Sequence, residues 1–196
     1  MTPLDPRRSL VIDTRELGRR AGSMHRIATT VPAPEELGTM GCGVPEGSDL
    51  ALTMRLESVI DGVLVSGTAQ AHVVGECSRC LDPVTDEVSV DFAELFGYPE
   101  TDSRGRPVRR DPAAQDAEEG GPELDGDLLD LEPTVRDAIV LALPLAPVCR
   151  EDCPGLCPQC GLRLAEAPEH HHDQVDTRWA ALAGVLDSQH DEKEEG

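Results

Sequence analysis

The stretch LALTMRLESVIDGVLVSGTAQAHV, residues 50–73, decides the fold. Its first half alternates apolar with mostly polar residues, the period of two expected of a half-buried strand; the apolar positions are Leu50, Leu52, Met54, Leu56 and Ile60. Asp61-Gly62 is a strong tight-turn signal, and a second alternating run follows over residues 63–73. The stretch therefore predicts two antiparallel strands joined by a hairpin.

A third strand is predicted over residues 84–95. Val88, Val90 and Phe92 share one face of this segment, and polar residues stand between them. The connection that precedes it carries the motif Cys77-Ser-Arg-Cys80. Together the three strands form an antiparallel meander whose second turn holds a cysteine pair.

The two ends of the chain give further elements. Residues 9–13 (SLVID) predict a short first strand, and the arginine-rich residues 15–26 predict a loop or a short helix. Pro133 suits the first turn of a helix that ends at Pro144. A last helix is predicted from Asp176, a residue suited to the N-cap position, with one apolar face made of Trp179, Leu182 and Leu186.

The charge of the chain is concentrated in two segments. The formal net charge is −21, and residues 111–132 hold nine acidic residues and no basic one. The tail, residues 187–196, holds five acidic residues against Lys193. Both segments are typical of solvated, disordered sequence, so the rest of the chain is only mildly acidic.

No targeting or membrane-spanning segment is visible. Residues 1–9 lack the apolar run of a secretory signal, and the longest apolar stretch, residues 138–148, is interrupted by two prolines and is too short for a membrane span. We therefore expect a soluble, cytoplasmic protein. In that compartment disulfides are rare, so the paired spacings of six of the seven cysteines indicate metal.

The metal-binding residues come in close sets. These are Cys77-x2-Cys80, Cys149-x3-Cys153, Cys157-x2-Cys160 and His170-His171-His172. Zinc prefers thiolate and imidazole ligands in tetrahedral sets of four, and a set filled by protein is structural, not catalytic. Glycine after the second cysteine of a pair, as at Gly161, lets the chain turn away as in a zinc knuckle. The sequence thus predicts one or two structural Zn²⁺ ions.

Two ways of sharing the ligands remain open. In the preferred one, Cys77, Cys80, Cys149 and Cys153 bind one zinc, and Cys157 and Cys160 bind a second with two of the three histidines, chosen as His170 and His172. In the other, a single site uses Cys153, Cys157, Cys160 and one histidine. Cys42 is interpreted as an isolated thiol in a loop. A redox role for the first pair is disfavoured, because a reactive C-x2-C opens a helix beside a parallel sheet.

These elements define a fold class and four segments. The class is α+β, an antiparallel β-meander or barrel-like sheet with a C-terminal helical, zinc-stapled lobe. The segments are a β-rich lobe (1–96), an acidic disordered linker (97–131), a C-terminal helix with the cysteine-rich loop and closing helix (132–187), and an acidic tail (188–196).

Three motifs resemble the YceD family, the large ribosomal RNA subunit accumulation proteins. The first is GECSRCLDP at residues 75–83, the second runs from LALPLAPVC at 141–149 into CPGLCPQCG at 153–161, and the third is DTRWAAL at 176–182. Many members of that family close the second cysteine set with Cys-x-Cys, where this chain has histidines. Imidazole can replace thiolate on zinc, so we expect the site to survive.

The resemblance implies a non-enzymatic factor for the synthesis, processing or stability of 23S rRNA. Accordingly, the sequence contains no Ser/His/Asp set, phosphate-cradling glycine loop or paired carboxylates in a definable pocket. We expect no membrane partner and no small-molecule substrate. Two partners stay open: precursor large-subunit rRNA, or a basic ribosomal protein held by the acidic run at residues 111–132.

Direct RNA binding would use arginines, since phosphate contacts dominate nucleic-acid affinity. The first candidates form a basic cluster made of Arg104, Arg106, Arg109 and Arg110, and the others are Arg7, Arg8, Arg15, Arg19, Arg20 and Arg26. A solvated surface is the competing interpretation of these side chains. Only four aromatic residues occur in the chain, which disfavours recognition by base stacking.

Overall fold

The computed structural model describes residues 4–99 and 121–172. These residues form seven strands and one helix: β1 (Val11–Asp13), β2 (Met24–Pro32), β3 (Cys42–Gly43), β4 (Asp49–Ser58), β5 (Gly62–Glu76), β6 (Pro83–Gly97), β7 (Leu128–Asp130) and α1 (Glu132–Ala142). Their contacts divide the chain into two compact units, residues 1–153 and 154–196. All eight elements belong to the first unit.

The main sheet is antiparallel and has five strands. β4 lies between β2 and β5, β6 pairs with the other edge of β5, and the short β3 joins β5 beyond the end of β4. The predicted meander of three strands is thereby confirmed. The predicted barrel-like closure is wrong, because β2 and β6 do not pair with each other and the sheet stays open.

Two local predictions along this sheet are corrected. Residues 15–26 were expected to form a loop or short helix, but β2 begins within them at Met24 and pairs with β4 along its whole length. Ile60 was assigned to the first strand, yet it lies in the turn before β5 and is 86% exposed. The chain has to reverse there to reach Gly62, so the side chain cannot reach the buried face.

One face of the sheet carries the core. Alternate residues of β4 and β5, including Leu50, Leu52 and Val65, are almost fully buried. The helix α1 starts with a proline in its first turn, as predicted, and adds Val135 and Ile139 to the same cluster. Because α1 contacts β6 and shares this core, it belongs with the sheet and not with a separate C-terminal lobe.

The small sheet of β1 and β7 completes this layer. The predicted first strand is confirmed as β1, and Val11 lies opposite Asp130 of β7. Residues 128–130 fall inside the segment predicted to be a disordered linker. They are ordered because Leu129 is fully buried in the core. The remaining segment boundaries stay predictions.

Other predictions fall on residues that the structure does not describe. These are the closing helix from Asp176, the acidic tail and the Arg104 to Arg110 cluster. Among the described residues, no helix is long and apolar enough to cross a membrane.

Candidate metal centres

The first cysteine set joins the β5–β6 turn to the loop after α1. Cys77 and Cys80 lie in that turn, and Cys149 and Cys153 lie in the loop. The Sγ atoms of Cys77 and Cys153 are 3.8 Å apart, those of Cys80 and Cys149 are 3.6 Å apart, and all four fall within 4.8 Å of one another. Tetrahedral zinc with bonds of about 2.3 Å separates its sulfurs by about 3.8 Å, so the donors fit zinc.

Backbone hydrogen bonds give the first C-x2-C turn its shape. The N–H of Cys77 donates to Asp82 O at 2.8 Å, and the N–H of Leu81 donates to Cys77 O at 2.9 Å. To close the turn, Leu81 adopts a φ of 62°. A residue with a side chain is destabilised in this left-handed conformation by about 1–2 kcal/mol.

Contacts from the turn to the loop hold the first set together. The N–H of Ser78 donates to Pro147 O at 2.8 Å. The guanidinium of Arg79 donates through Nη1 to Glu151 O at 3.1 Å and to Cys153 O at 3.0 Å. Arg79 therefore ties the turn that carries Cys77 and Cys80 to the loop that carries Cys149 and Cys153 without using a metal.

Three cysteines of the first set are buried, Cys149 is exposed, and the surroundings favour the thiolate of Cys77 over that of Cys80. Burial acts to raise the pKa of Cys77, but backbone N–H groups of Cys149, Cys80 and Arg79 donate to its sulfur and lower the pKa to about 6. For Cys80, the N–H of Asp82 acts to lower the pKa, while burial and the neighbouring cysteine sulfurs raise it to about 12. Thiolates this close repel one another, so a bound cation is what lets all four ionise.

The second set lies within residues 154–172 of the second unit. Cys160 Sγ is 3.2 Å from His170 Nε2 and 3.4 Å from His172 Nε2, and the two Nε2 atoms are 2.9 Å apart. Together with Cys157, these donors also lie within 4.8 Å of one another. His171 instead places Nδ1 3.1 Å from Glu169 O, and its ring nitrogens are not part of the set.

The second C-x2-C turn repeats the backbone of the first. The N–H of Cys157 donates to Leu162 O at 2.8 Å, and the N–H of Gly161 donates to Cys157 O at 2.8 Å. Gly161, at the position that corresponds to Leu81, has a φ of 73°. N–H groups of Cys160 and Gln159 donate to the Cys157 sulfur and lower the pKa of this thiol, against the effect of burial.

The structure gathers the eight predicted ligands into the two sets of the preferred pairing. Cys153 lies with Cys77, so the single-site alternative does not match the geometry. Metal binding by these residues stays a prediction. Each set offers four protein donor atoms, the number that a structural zinc site uses.

Sequence reasoning misplaced one cysteine and missed one positioning residue. Cys42 is not in a loop: it lies in β3, is buried, and its Sγ is 3.7 Å from Pro144 O. No sequence motif indicates the role of Arg79, because its carbonyl partners lie 72 and 74 residues further along the chain. Only the folded loop brings them together.

The chain is thus an open antiparallel β-sheet protein with two candidate metal-binding knuckles, and comparison with known proteins places it in a family. The model of the family described as "Large ribosomal RNA subunit accumulation protein YceD" matches residues 65–186. This chain belongs to the YceD family. The resemblance that the three motifs carry is confirmed.

Curated relatives extend this similarity over most of the chain. Uncharacterized proteins of Mycobacterium bovis and Mycobacterium tuberculosis are 43% identical over 182 residues, which is 93% of this chain and 84% of theirs. An uncharacterized protein of Mycobacterium leprae is 38% identical over 177 residues, covering 90% of this chain and 77% of its own. No solved structure matches the chain.

Proposed function

We propose that this protein is a non-enzymatic, zinc-stapled factor that supports the synthesis, processing or stability of 23S rRNA during assembly of the large ribosomal subunit. Membership of the YceD family is the observation that carries the proposal, since the family is described by accumulation of large-subunit rRNA. The proposed place of action is the cytoplasm, where this RNA is made.

The two cysteine-containing sets support a structural role for the metal. Zinc prefers donor combinations of the two kinds found here. One set offers four thiolates, and the other offers two thiolates and two imidazoles. The first set lies where the β5–β6 turn meets the loop after α1. Metal bound there would fix that loop against the sheet without leaving a position for substrate.

Precursor large-subunit rRNA is the partner that we propose. The rival is a basic ribosomal protein, bound by the acidic run at residues 111–132. The two partners predict different effects of ribonuclease, because contacts made through RNA are lost when the RNA is digested.

Deletion of the gene in its own organism tests the proposal. We expect a lower ratio of 23S to 16S rRNA, restored by the wild-type chain and not by a Cys77→Ser/Cys153→Ser variant. The matched control is Cys42→Ala, which removes a buried thiol outside both sets and should complement fully. An unchanged ratio in the deletion strain would refute the proposed function.

Brief crosslinking followed by purification separates the two partners. Recovery of precursor large-subunit rRNA in the absence of ribosomal proteins supports direct contact with RNA. Recovery of a basic ribosomal protein that survives ribonuclease supports the rival, and deletion of residues 111–120, which removes four of the nine acidic residues of the run, should then weaken that recovery.

A further inference from the structure

An apolar groove lies between the end of the main sheet and the loop after α1. It encloses about 280 Å³, which is room for one or two large apolar side chains. One wall is formed by β5 and β6 and the other by the loop, and all of the lining belongs to the first unit. Aliphatic side chains dominate both walls, namely Val73, Val84, Val88, Leu143, Ala146 and Val148.

The groove continues the sheet face that carries the core. Val84 and Val88 lie on the same side of β6 as the buried Phe92, because alternate residues of a strand point to one face. Unlike Phe92, the two valines are only half-buried. Leu141 and Leu145, which neighbour groove-lining residues in the chain, are almost fully exposed. Exposed apolar surface with a polar rim is typical of a protein-interaction site.

Hydrogen bonding and packing hold the two walls of the groove in place. The N–H of Ser78 in the β5–β6 turn donates to Pro147 O of the loop at 2.8 Å. Val84 from one wall and Val148 from the other pack against the buried cysteines of the first set. Because the walls are already joined, a partner would lose little free energy in ordering them.

The charged residues around the groove are mostly acidic. The segments that form it, residues 40–44, 73–88 and 142–153, hold six acidic side chains and two arginines, a formal charge of −4. The acidic residues are Glu76, Asp82, Asp86, Glu87, Glu151 and Asp152. The whole of α1 and the remainder of β6 add four acidic residues and one basic residue. The surroundings of the groove are therefore anionic.

Ion pairs do not remove this negative charge. Arg150 Nε lies 3.2 Å from Asp152, and His72 Nδ1 lies 3.0 Å from Glu87. With both pairs set aside, four acidic residues of the three segments remain against Arg79. One of the four, Asp86, is exposed and lines the groove itself.

We propose that this groove binds an amphipathic, basic segment of another protein. Apolar side chains of the partner enter between the two walls, and its lysines or arginines face the acidic surroundings, where complementary charge speeds association and fixes orientation. RNA does not fit this surface, because the acidic residues repel phosphates. The inference goes beyond the proposed function, since it adds a protein partner at a site that shares no residue with the acidic run at 111–132.

Fluorescence anisotropy of the full-length protein with three labelled synthetic peptides tests the proposal. The first peptide has leucine at helical spacing on one face and lysine elsewhere. The second replaces each leucine by serine, and the third replaces each lysine by glutamate. We expect the first to bind at least about tenfold more tightly than the others, because apolar anchors and positive charge are both needed. Equal binding of the first two peptides would overturn the proposal.

Ala146→Arg distinguishes the groove from other acidic surfaces of the chain. Ala146 lines the groove and is exposed, so arginine should obstruct the groove and add positive charge without a change in melting temperature. We expect the leucine–lysine peptide to bind about tenfold more weakly. Binding equal to that of the wild type would overturn the proposal.

The matched control is Ala21→Arg, the same substitution at another exposed alanine. Ala21 precedes Gly22, whose N–H donates to Ser58 O at the end of β4, and so lies at the opposite end of β5 from the groove. This variant should bind the peptide as the wild type does. An equal loss in the control would refute a local contact.

Sedimentation and complementation complete the test. A dimer of the wild-type chain that Ala146→Arg dissociates would overturn the proposal, because the occupant would then be a second copy. If the deletion strain is restored by the wild-type chain and not by Ala146→Arg, the groove and the proposed function are both supported. If deletion leaves the ratio of 23S to 16S rRNA unchanged while the peptides bind as expected, the proposed function fails and the groove proposal stands.

Discussion

The two knuckles of this protein have the same backbone and different surroundings. In each, the first cysteine N–H donates to the carbonyl five residues later, and the residue after the second cysteine has a positive φ. The first knuckle keeps Cys77, Cys80 and Cys153 buried, in a small cluster with Val84 and Val148.

In the second set, by contrast, Cys160 and His172 are exposed and Cys157 is buried. The comparison shows that one turn geometry can serve two purposes. Three cysteines of the first set are part of a small hydrophobic cluster at the β5–β6 turn, whereas the second set lies in a loop segment outside both buried clusters of the described residues. Four experiments test this distinction, ordered by their expected effect on the free energy of unfolding of residues 1–153.

The largest effect is expected from Cys77→Ser. Loss of the first metal would leave three thiols, two of them buried, without a cation and free the loop after α1, so we expect destabilisation of at least about 3 kcal/mol. Chemical denaturation measures this change, and elemental analysis should show one zinc per chain instead of two. Cys42→Ala is the control and should retain both ions; an equal loss of stability in that variant would mean that the effect is one of core packing.

Arg79→Met is expected to weaken metal binding at the first set by about 10–100-fold, the usual effect of losing a partner that orients metal ligands. Competition with a chromogenic chelator measures the affinity. Arg79→Lys should recover part of it, because an ammonium group retains the charge but not the paired donors. Equal loss at both sets would contradict a local role for Arg79.

The residue after each knuckle should respond in opposite directions. Leu81→Gly removes the strain of a φ of 62° and should stabilise the protein by up to about 1 kcal/mol, after the entropic cost of glycine. Gly161→Leu introduces the same strain and should weaken zinc binding at the second set. The melting temperatures and zinc affinities of the two variants test this prediction. Destabilisation by Leu81→Gly would mean that the Leu81 side chain, although 59% exposed, makes stabilising contacts that glycine lacks.

The smallest effect on the sheet is expected from Cys160→Ser. This change should abolish the second metal site and increase proteolysis within residues 154–172, while denaturation of the first unit changes by less than about 0.5 kcal/mol. Both buried clusters of the described residues end at or before Cys153, which is the reason for this expectation. A loss similar to that of Cys77→Ser would remove the distinction between the two knuckles.

The sequence alone determined the local elements of this protein. Alternation predicted β4, β5 and β6, the position of Pro133 predicted α1, and the paired cysteines predicted both knuckles, because each of these signals lies within a few residues. The same locality explains the failure at β2: its strand residues are half-buried at best, and an edge strand takes its pairing from a neighbour more than from its own apolar pattern.

Only the tertiary structure decided which distant groups meet. It placed Cys153 with Cys77, 76 residues away, brought Arg79 to the carbonyls of the loop after α1, and set Arg26 against Arg55 through the register of β2 and β4. Such contacts depend on how the strands and the loop are brought together by burial of the common core. Residue spacing along the chain contains no information on that packing, so the division of the ligands into two sets became visible only in the folded protein.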